Sequence, residues 1–322
     1  MFRSRLVLIV TAFAFIAAGA GLQGCAKKKG PAEKAKVEKK RMVLPPGLAV
    51  YTTGGGIWKL AKAGTPELVV SGRMWFPAVN ASETLLAYWE DLGGRMAMNV
   101  RNLATGATTK VGEWQTLGAL GRNLNLRNAP AWLQPPENSG TTFKDVLFFA
   151  DGRQIWQVEA DGTNLTTIYE HEGAACYGVS PSPDGTRIAF IGVTEKDQNL
   201  WTYSTQTHKS QPVTEYTFRD GAAGSPAWSP NGVFIVFVLY KSEDSNLWRI
   251  PAEGGTSMQI TKEGRTNSAV WDPTGAKLAV SSGNQNPLVW QIHLVSAEDG
   301  RFLEQLTVAP AGAFSPSIAG AW

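Results

Sequence analysis

Between residues 47 and 322 the apolar positions fall in short runs that alternate imperfectly with polar ones and stop at glycine, proline, aspartate or asparagine. Runs of this kind, rich in Val, Ile, Phe and Trp, predict half-buried or buried β-strands, and no long helical stripe competes with them. The clearest passage reads Ala227-Trp228-Ser229-Pro230-Asn231-Gly232, an apolar run from Val233 to Tyr240, then Asn246-Leu247-Trp248-Arg249-Ile250 and Glu253-Gly254-Gly255. The phrase recurs upstream as Ser182-Pro183-Asp184-Gly185 with Asn199-Leu200-Trp201, and downstream as Val270-Trp271-Asp272-Pro273-Thr274-Gly275. Its prolines stand 47 and 43 residues apart, which is the length of one four-stranded propeller blade.

Proline presets φ, Asp or Asn tolerates turn conformations, and glycine supplies positive φ, so each Pro-x-Gly closes a hairpin between two apolar runs. The tryptophan before the turn is expected to fill the space between neighbouring blades. A second marker, Leu/Ile-Trp, recurs at Ile57-Trp58, Ile155-Trp156, Leu200-Trp201 and Leu247-Trp248, with weaker copies around Met98 to Arg101 and Ile292 to Val295. The count is six, and the predicted fold is an all-β, six-bladed β-propeller over residues 47–322. The first unit is too short to supply its own opening strand. The carboxyl-terminal Ser315 to Trp322 is expected to complete it, removing an open sheet edge. In the third unit Gln134 to Lys144 replaces the tight turn, and Glu113 to Arg127 reads as a connection between units two and three.

Arg3 and Arg5 precede an apolar run from Leu6 to about Leu22, short for a membrane span, that reads as a secretory signal over residues 1–24. Leu22-Gln23-Gly24-Cys25 resembles the lipobox of bacterial lipoproteins, which implies acylation of Cys25 and an anchor in the membrane. Ala26 after the cysteine implies, by the same resemblance, the outer membrane facing the periplasm. Residues 25–46 have little to bury and are expected to form a flexible basic tether. Residues 26–46 hold eight basic and two acidic side chains, a net +6; with the signal's two arginines set aside, the propeller body has 20 basic and 25 acidic, a net −5. The basic character of the whole chain therefore belongs to the tether, where it suits anionic lipid headgroups and gives no support to nucleic-acid binding.

With Cys25 lipidated, Cys176 has no disulfide partner and reads as a buried small residue. The three histidines, His171, His208 and His293, fall in different units without metal-ligand spacing, and no nucleophile elbow, zincin motif or phosphate loop is present. No metal, cofactor or catalytic residue is predicted. The unrepeated loops ahead of the innermost strands carry the candidate binding rim: Arg127 and Asn128, His171, Glu172 and Tyr177, Arg219 and Asp220, and Arg265 and Asn267. Arginines and aromatics gathered at one rim suit a protein or peptide ligand.

The Pro-Ala-Trp-Ser-Pro-Asn-Gly phrase with Leu-Trp and Gly-Gly, residues 226–255, resembles the repeat of the TolB-type propellers, which is also found in the propeller domains of prolyl-oligopeptidase-like peptidases. The resemblance covers residues 47–322, most strongly in units four to six. The amino-terminal α/β domain of TolB and the hydrolase domain of the peptidases are expected to be missing. What the resemblance implies is a monomeric, non-catalytic scaffold, lipid-anchored in the envelope, that docks an envelope protein or peptide on its propeller mouth. The competing reading is a propeller enzyme of the lactonase or polysaccharide-lyase kind with a metal or sugar acid in the channel, for which Asp220, Glu172, Asn267 and Asn128 would have to converge.

Overall fold

In a computed structural model of the chain, residues 48–53, 56–60, 66–115, 129–133, 144–242, 244–262, 264–283, 291–306 and 318–321 are described. Cys25, the tether, Arg127, Asn128 and Trp322 lie outside them. All described regular elements are β-strands, and they form four-stranded antiparallel sheets. Five of these are meanders of consecutive strands. The first comprises β4 (Met74–Val79), β5 (Leu85–Asp91), β6 (Arg95–Asn102) and β7 (Thr108–Gln115). Next come β8 (Ala131–Trp132), β9 (Val146–Ala150), β10 (Gln154–Glu159) and β11 (Thr166–Glu170). The third holds β12 (Ala175–Pro181), β13 (Arg187–Val193), β14 (Gln198–Ser204) and β15 (Ser210–Pro212). Then follow β16 (Ala222–Trp228), β17 (Phe234–Tyr240), β18 (Ser245–Pro251) and β19 (Met258–Gln259), and after them β20 (Thr266–Trp271), β21 (Lys277–Ser282), β22 (Gln291–Ser296) and β23 (Phe302–Gln305).

The count of six blades, the first completed by the carboxyl-terminal strand, is corrected by this topology to five complete blades. The remaining sheet has the order β24-β1-β2-β3, from β1 (Leu48–Thr53), β2 (Gly56–Leu60), β3 (Pro66–Ser71) and β24 (Ile318–Ala321). It is put together from the two ends of the chain, with β24 paired to β1 from Leu48↔Ala321 to Tyr51↔Ile318. No continuous chain passes from β24 to β1, so this sheet cannot carry the Pro-x-Gly hairpin that defines a repeat. A second correction concerns the connection expected at Glu113 to Arg127: β7 runs on to Gln115, and Trp114 packs into the core between blades.

The repeated phrase builds one end of the sheets. Ser182 Oγ accepts the Arg187 amide at 2.9 Å and donates to Asp184 Oδ1 at 2.6 Å. Ser229 does the same with Phe234 and Asn231, and Asp272 takes the Lys277 amide at 2.8 Å. In the degenerate copy, Asn80 Oδ1 accepts the amides of Thr84 and Leu85, both at 2.9 Å, and Glu83 supplies the positive φ, 56°, that Gly185 supplies at 70°. One side-chain acceptor thus takes amide hydrogen bonds beyond each of these four turns.

The tryptophans of the inner strands lie between blades. Trp132 packs with Ala78, Ala87 and Val100, Trp228 with Ala189 and Ile191, and Trp271 with Val236 and Val238. The indoles of Trp132 and Trp271 also donate to the preceding blade, at Ala78 O (2.9 Å) and Ala227 O (3.1 Å). The Leu/Ile-Trp tryptophans pair across strands with Phe149, Phe190 and Phe237, and at the corresponding position His293 pairs with Val280. Burying rings of this size supplies the largest share of apolar stabilisation in a sheet stack.

Candidate functional site

Each inner strand runs from an unrepeated loop to a turn, so the loops ahead of β12, β16 and β20 share one end with the connections β5–β6, β9–β10, β13–β14 and β17–β18. This loop end carries the described loops from which the rim is predicted. Its backbone is pinned by a device that the sequence reading did not pick out. Asn199 is buried, accepts Thr214 Oγ1 at 2.9 Å and the Tyr216 amide at 2.7 Å, and donates to Tyr216 O at 3.0 Å. One blade on, Asn246 Oδ1 accepts Thr261 Oγ1 at 3.3 Å and the Gly264 amide at 3.1 Å. Both asparagines belong to the repeated Asn-Leu-Trp, and both threonines stand two residues beyond the end of the strand that follows, β15 or β19. The recurrence of Asn-Leu-Trp with Thr about fifteen residues later was the available signal.

Thr214 to Gly221 forms the most elaborate described rim loop. The Asp220 carboxylate accepts the Thr217 amide at 3.1 Å and its hydroxyl at 2.7 Å, and this hydroxyl bond, ahead of nearby Lys241 and Arg219, holds the acid below the usual carboxylate range. Asp220 is therefore spent on the turn. The two residues it frames, Phe218 and Arg219, point outward, Phe218 with 52% of its surface exposed. Trp75, at the loop end of β4, is 38% exposed and Leu92, in the β5–β6 connection, 42%. The end also carries the ion pairs Arg73–Asp91 at 2.7 Å, Arg95–Glu113 at 3.1 Å and Arg153–Glu170 at 2.9 Å.

The other predicted residues separate into outward and inward groups. Glu172 and Arg265 are exposed. Asn267 is half-buried and its carbonyl accepts Ser225 Oγ at 3.0 Å and the Tyr240 hydroxyl at 3.2 Å. Tyr177 is a strand residue, 1% exposed, packed with Ala223, Phe237 and Leu239 of the next blade, and His171 is likewise buried; neither presents its ring on the surface expected for a rim. Their apolar surroundings explain this: each fills a seam between two blades. Among the described residues no group of three or more His, Cys, Asp or Glu side chains is placed to hold a metal ion.

An apolar and arginine-bearing rim on a propeller whose turns follow one template defines the class, a repeat propeller with its variable surface at one end. A family model described as the TolB β-propeller domain matches residues 147–319, more than half of the chain, and the chain belongs to that family. A sequence search of curated proteins returned no match. Among solved structures, TolB from Acinetobacter baumannii is similar with a TM-score of 0.67 at 17% identity, covering 85% of this chain and 66% of that one. The chain thus spans about two thirds of that TolB. A putative TolB from Agrobacterium tumefaciens matches with a TM-score of 0.60 at 15% identity, covering 84% and 92%. An oligogalacturonate lyase in complex with manganese matches with a TM-score of 0.52 at 15% identity, covering 83% and 76%. At these identities the likeness is one of fold.

Proposed function

We propose that this propeller is a membrane-anchored, non-catalytic scaffold of the cell envelope that docks a protein or peptide on its loop end. The observation that carries the reading is Phe218 beside Arg219, held outward on a turn that Asp220 fixes. An exposed aromatic next to an arginine on a rigid backbone is the composition of an interface anchor, and the missing ordering cost favours binding. Arg265 and Glu172 extend the same surface. Acylated Cys25 would hold the propeller at the membrane, and the basic tether suits anionic headgroups on the periplasmic side of the outer membrane.

A photo-crosslinking residue placed at Phe218 in cells, compared with one at Val233 on the turn end, tests the docking. Val233 is equally exposed, at 51%. The expected result is a discrete adduct from position 218 that disappears with Arg219→Ala; the same adducts from both positions would reject the rim as a docking surface. Cys25→Ala should move the protein from the membrane to the soluble fraction. The fold shared with the oligogalacturonate lyase supports the enzyme reading only at the level of architecture, and turnover of oligogalacturonate by the full chain with added manganese would replace the scaffold with it.

A further inference from the structure

The seam between the β8–β11 and β12–β15 blades holds a buried imidazole that the rim does not use. His171 is 3% exposed, and its ring meets Phe190 and Trp201 edge-on with centroids 5.7 and 5.5 Å away. The Tyr169 hydroxyl donates to Ser210 Oγ at 3.0 Å, so at its other contact, 3.1 Å from His171 Nδ1, it accepts. This places the imidazole proton on Nδ1 and leaves Nε2 bare. Among the described residues Nε2 is buried with no hydrogen-bond partner, as is the indole nitrogen of Trp201. Two glycines make the room: a Cβ on Gly173 would stand 2.6 Å from Nε2, and one on Gly192 would stand 2.8 Å from His171 Cε1 and from Trp201 Nε1. A neutral ring tolerates such a site. An imidazolium would bury a second N–H and a positive charge, which is costly without a partner.

Burial holds His171 below the usual histidine range, against the pull of Glu172 in its own loop and Asp197 on the β13–β14 connection. Arg153, whose carbonyl accepts the His171 amide at 3.0 Å, has its guanidinium paired with Glu170. Tyr169, Tyr203 and Cys176 are pushed up by burial and stay neutral in acid, and Asp151 on the β9–β10 connection adds to the rise at Cys176.

We propose that His171 is an acid-sensitive latch between these two blades: uptake of a solvent proton at Nε2 expels the ring and frees the segment from His171 to Ala174. That segment is tied down by Ala174 N–H to Val193 O at 2.7 Å and, just beyond it, by Cys176 N–H to Gly152 O at 3.0 Å. The folded-state value is depressed for a base, so the stabilisation is complete above the unfolded value of about 6.5 and is lost as pH falls from there to the folded value. Over that window the opening constant rises about tenfold per pH unit.

Hydrogen exchange of the Ala174 and Cys176 amides in the full chain, corrected for intrinsic rates between about pH 7.5 and about pH 5, reads this directly. Wild type should open progressively below about pH 6.5, while H171F, which cannot titrate, should show a flat profile and an unchanged control amide in β17. H171Q serves the same purpose if the Phe variant fails to fold. Proton NMR titration of the wild-type His171 ring, assigned by substituting His208 and His293, should give a value below the ordinary one. Equal pH responses in wild type and variant, or an ordinary titration of His171, would overturn the latch.

Discussion

The two ends of the sheets solve the same problem in different ways. At the turn end a side chain at the start of each hairpin, Asn80, Ser182, Ser229 or Asp272, caps the amides beyond it. The neighbouring turns also lean on each other: a Cβ on Gly232 would come 3.8 Å from Pro183 Cδ, and one on Gly275 3.7 Å from Pro230 Cδ. At the loop end the caps are Asn199 and Asn246, buried like those of the turn end, and they reach past the strand that follows to the loop amides of Tyr216 and Gly264. The turn end spends its repeated residues on contacts with the next repeat. The loop end hides its repeated residues and leaves the exposed positions free to differ. A surface can become specific only where the fold does not already need its side chains, and that is the loop end.

The contrast makes the loop end the stiffer place to disturb from within. Gly221, which closes the Thr214 to Gly221 loop, has φ of 139°, and a Cβ there would stand 2.8 Å from Tyr240 O and 2.9 Å from Leu239 Cδ1. Gly221→Ala combines backbone strain with a clash against a carbonyl and should cost about 3 kcal/mol in urea denaturation. A cost below about 1 kcal/mol would mean that the loop yields easily and is not a rigid mount. Asn246→Ala comes next: it strips the acceptor from Gly264 N–H and from the Thr261 hydroxyl in a buried site, and should cost about 2 kcal/mol. If a double substitution with Thr261→Val costs no less than the sum of the two, the pair is not coupled and the tie is incidental.

The turn end was legible in the sequence for the same reason that it is uninformative about binding. Ser-Pro-x-Gly fixes a hairpin by local chemistry, so its three clear copies announce both strands and period, and the alternation around them places Trp228 and Trp271 in the seams. The blade count failed where local chemistry stops. Whether β24 joins β1, and whether the result is one more repeat, depends on pairing across the whole chain and not on any turn. The burial of two rim residues was illegible for a related reason. Tyr177 and His171 are polar or amphipathic types in loop-like surroundings, yet seams between blades accept such rings when apolar neighbours enclose them. Asp220 reads as a ligand but serves Thr217, a partner three residues away. Phe218 stands in the same unrepeated loop as Arg219 and Asp220, and the loop's sequence does not say how far its ring is exposed.

A turn-end substitution sets the scale for the remaining tests. Ser229→Ala removes one acceptor from the Phe234 amide at 2.9 Å while the backbone bonds of the hairpin, Ser229 N to Phe234 O at 2.8 Å and Gly232 N to Ser229 O at 2.9 Å, persist. It should cost about 1 kcal/mol, less than the loss of Asn246, because Ser229 accepts from a single amide whereas Asn246 serves two donors. Were Ser229→Ala the more damaging of the two, the turn end would be the mechanically critical one, and the assignment of stiffness to the loop end would reverse.

The smallest effect on stability belongs to the residue with the largest expected role. Phe218 has more than half of its surface in water, and replacing it by Ala should change the unfolding free energy by less than about 0.5 kcal/mol. The Thr217 to Asp220 bonds do not involve its ring, so the turn keeps its shape. Any loss of crosslinking or binding in Phe218→Ala at unchanged stability is therefore a loss of contact, which is what an interface anchor predicts. Val233→Ala at the turn end is the matched control, since it removes a similarly exposed apolar side chain from the end whose surface serves the repeat. Binding that falls with Phe218→Ala and not with Val233→Ala would locate recognition at the loop end, and equal losses would remove the distinction between the two ends.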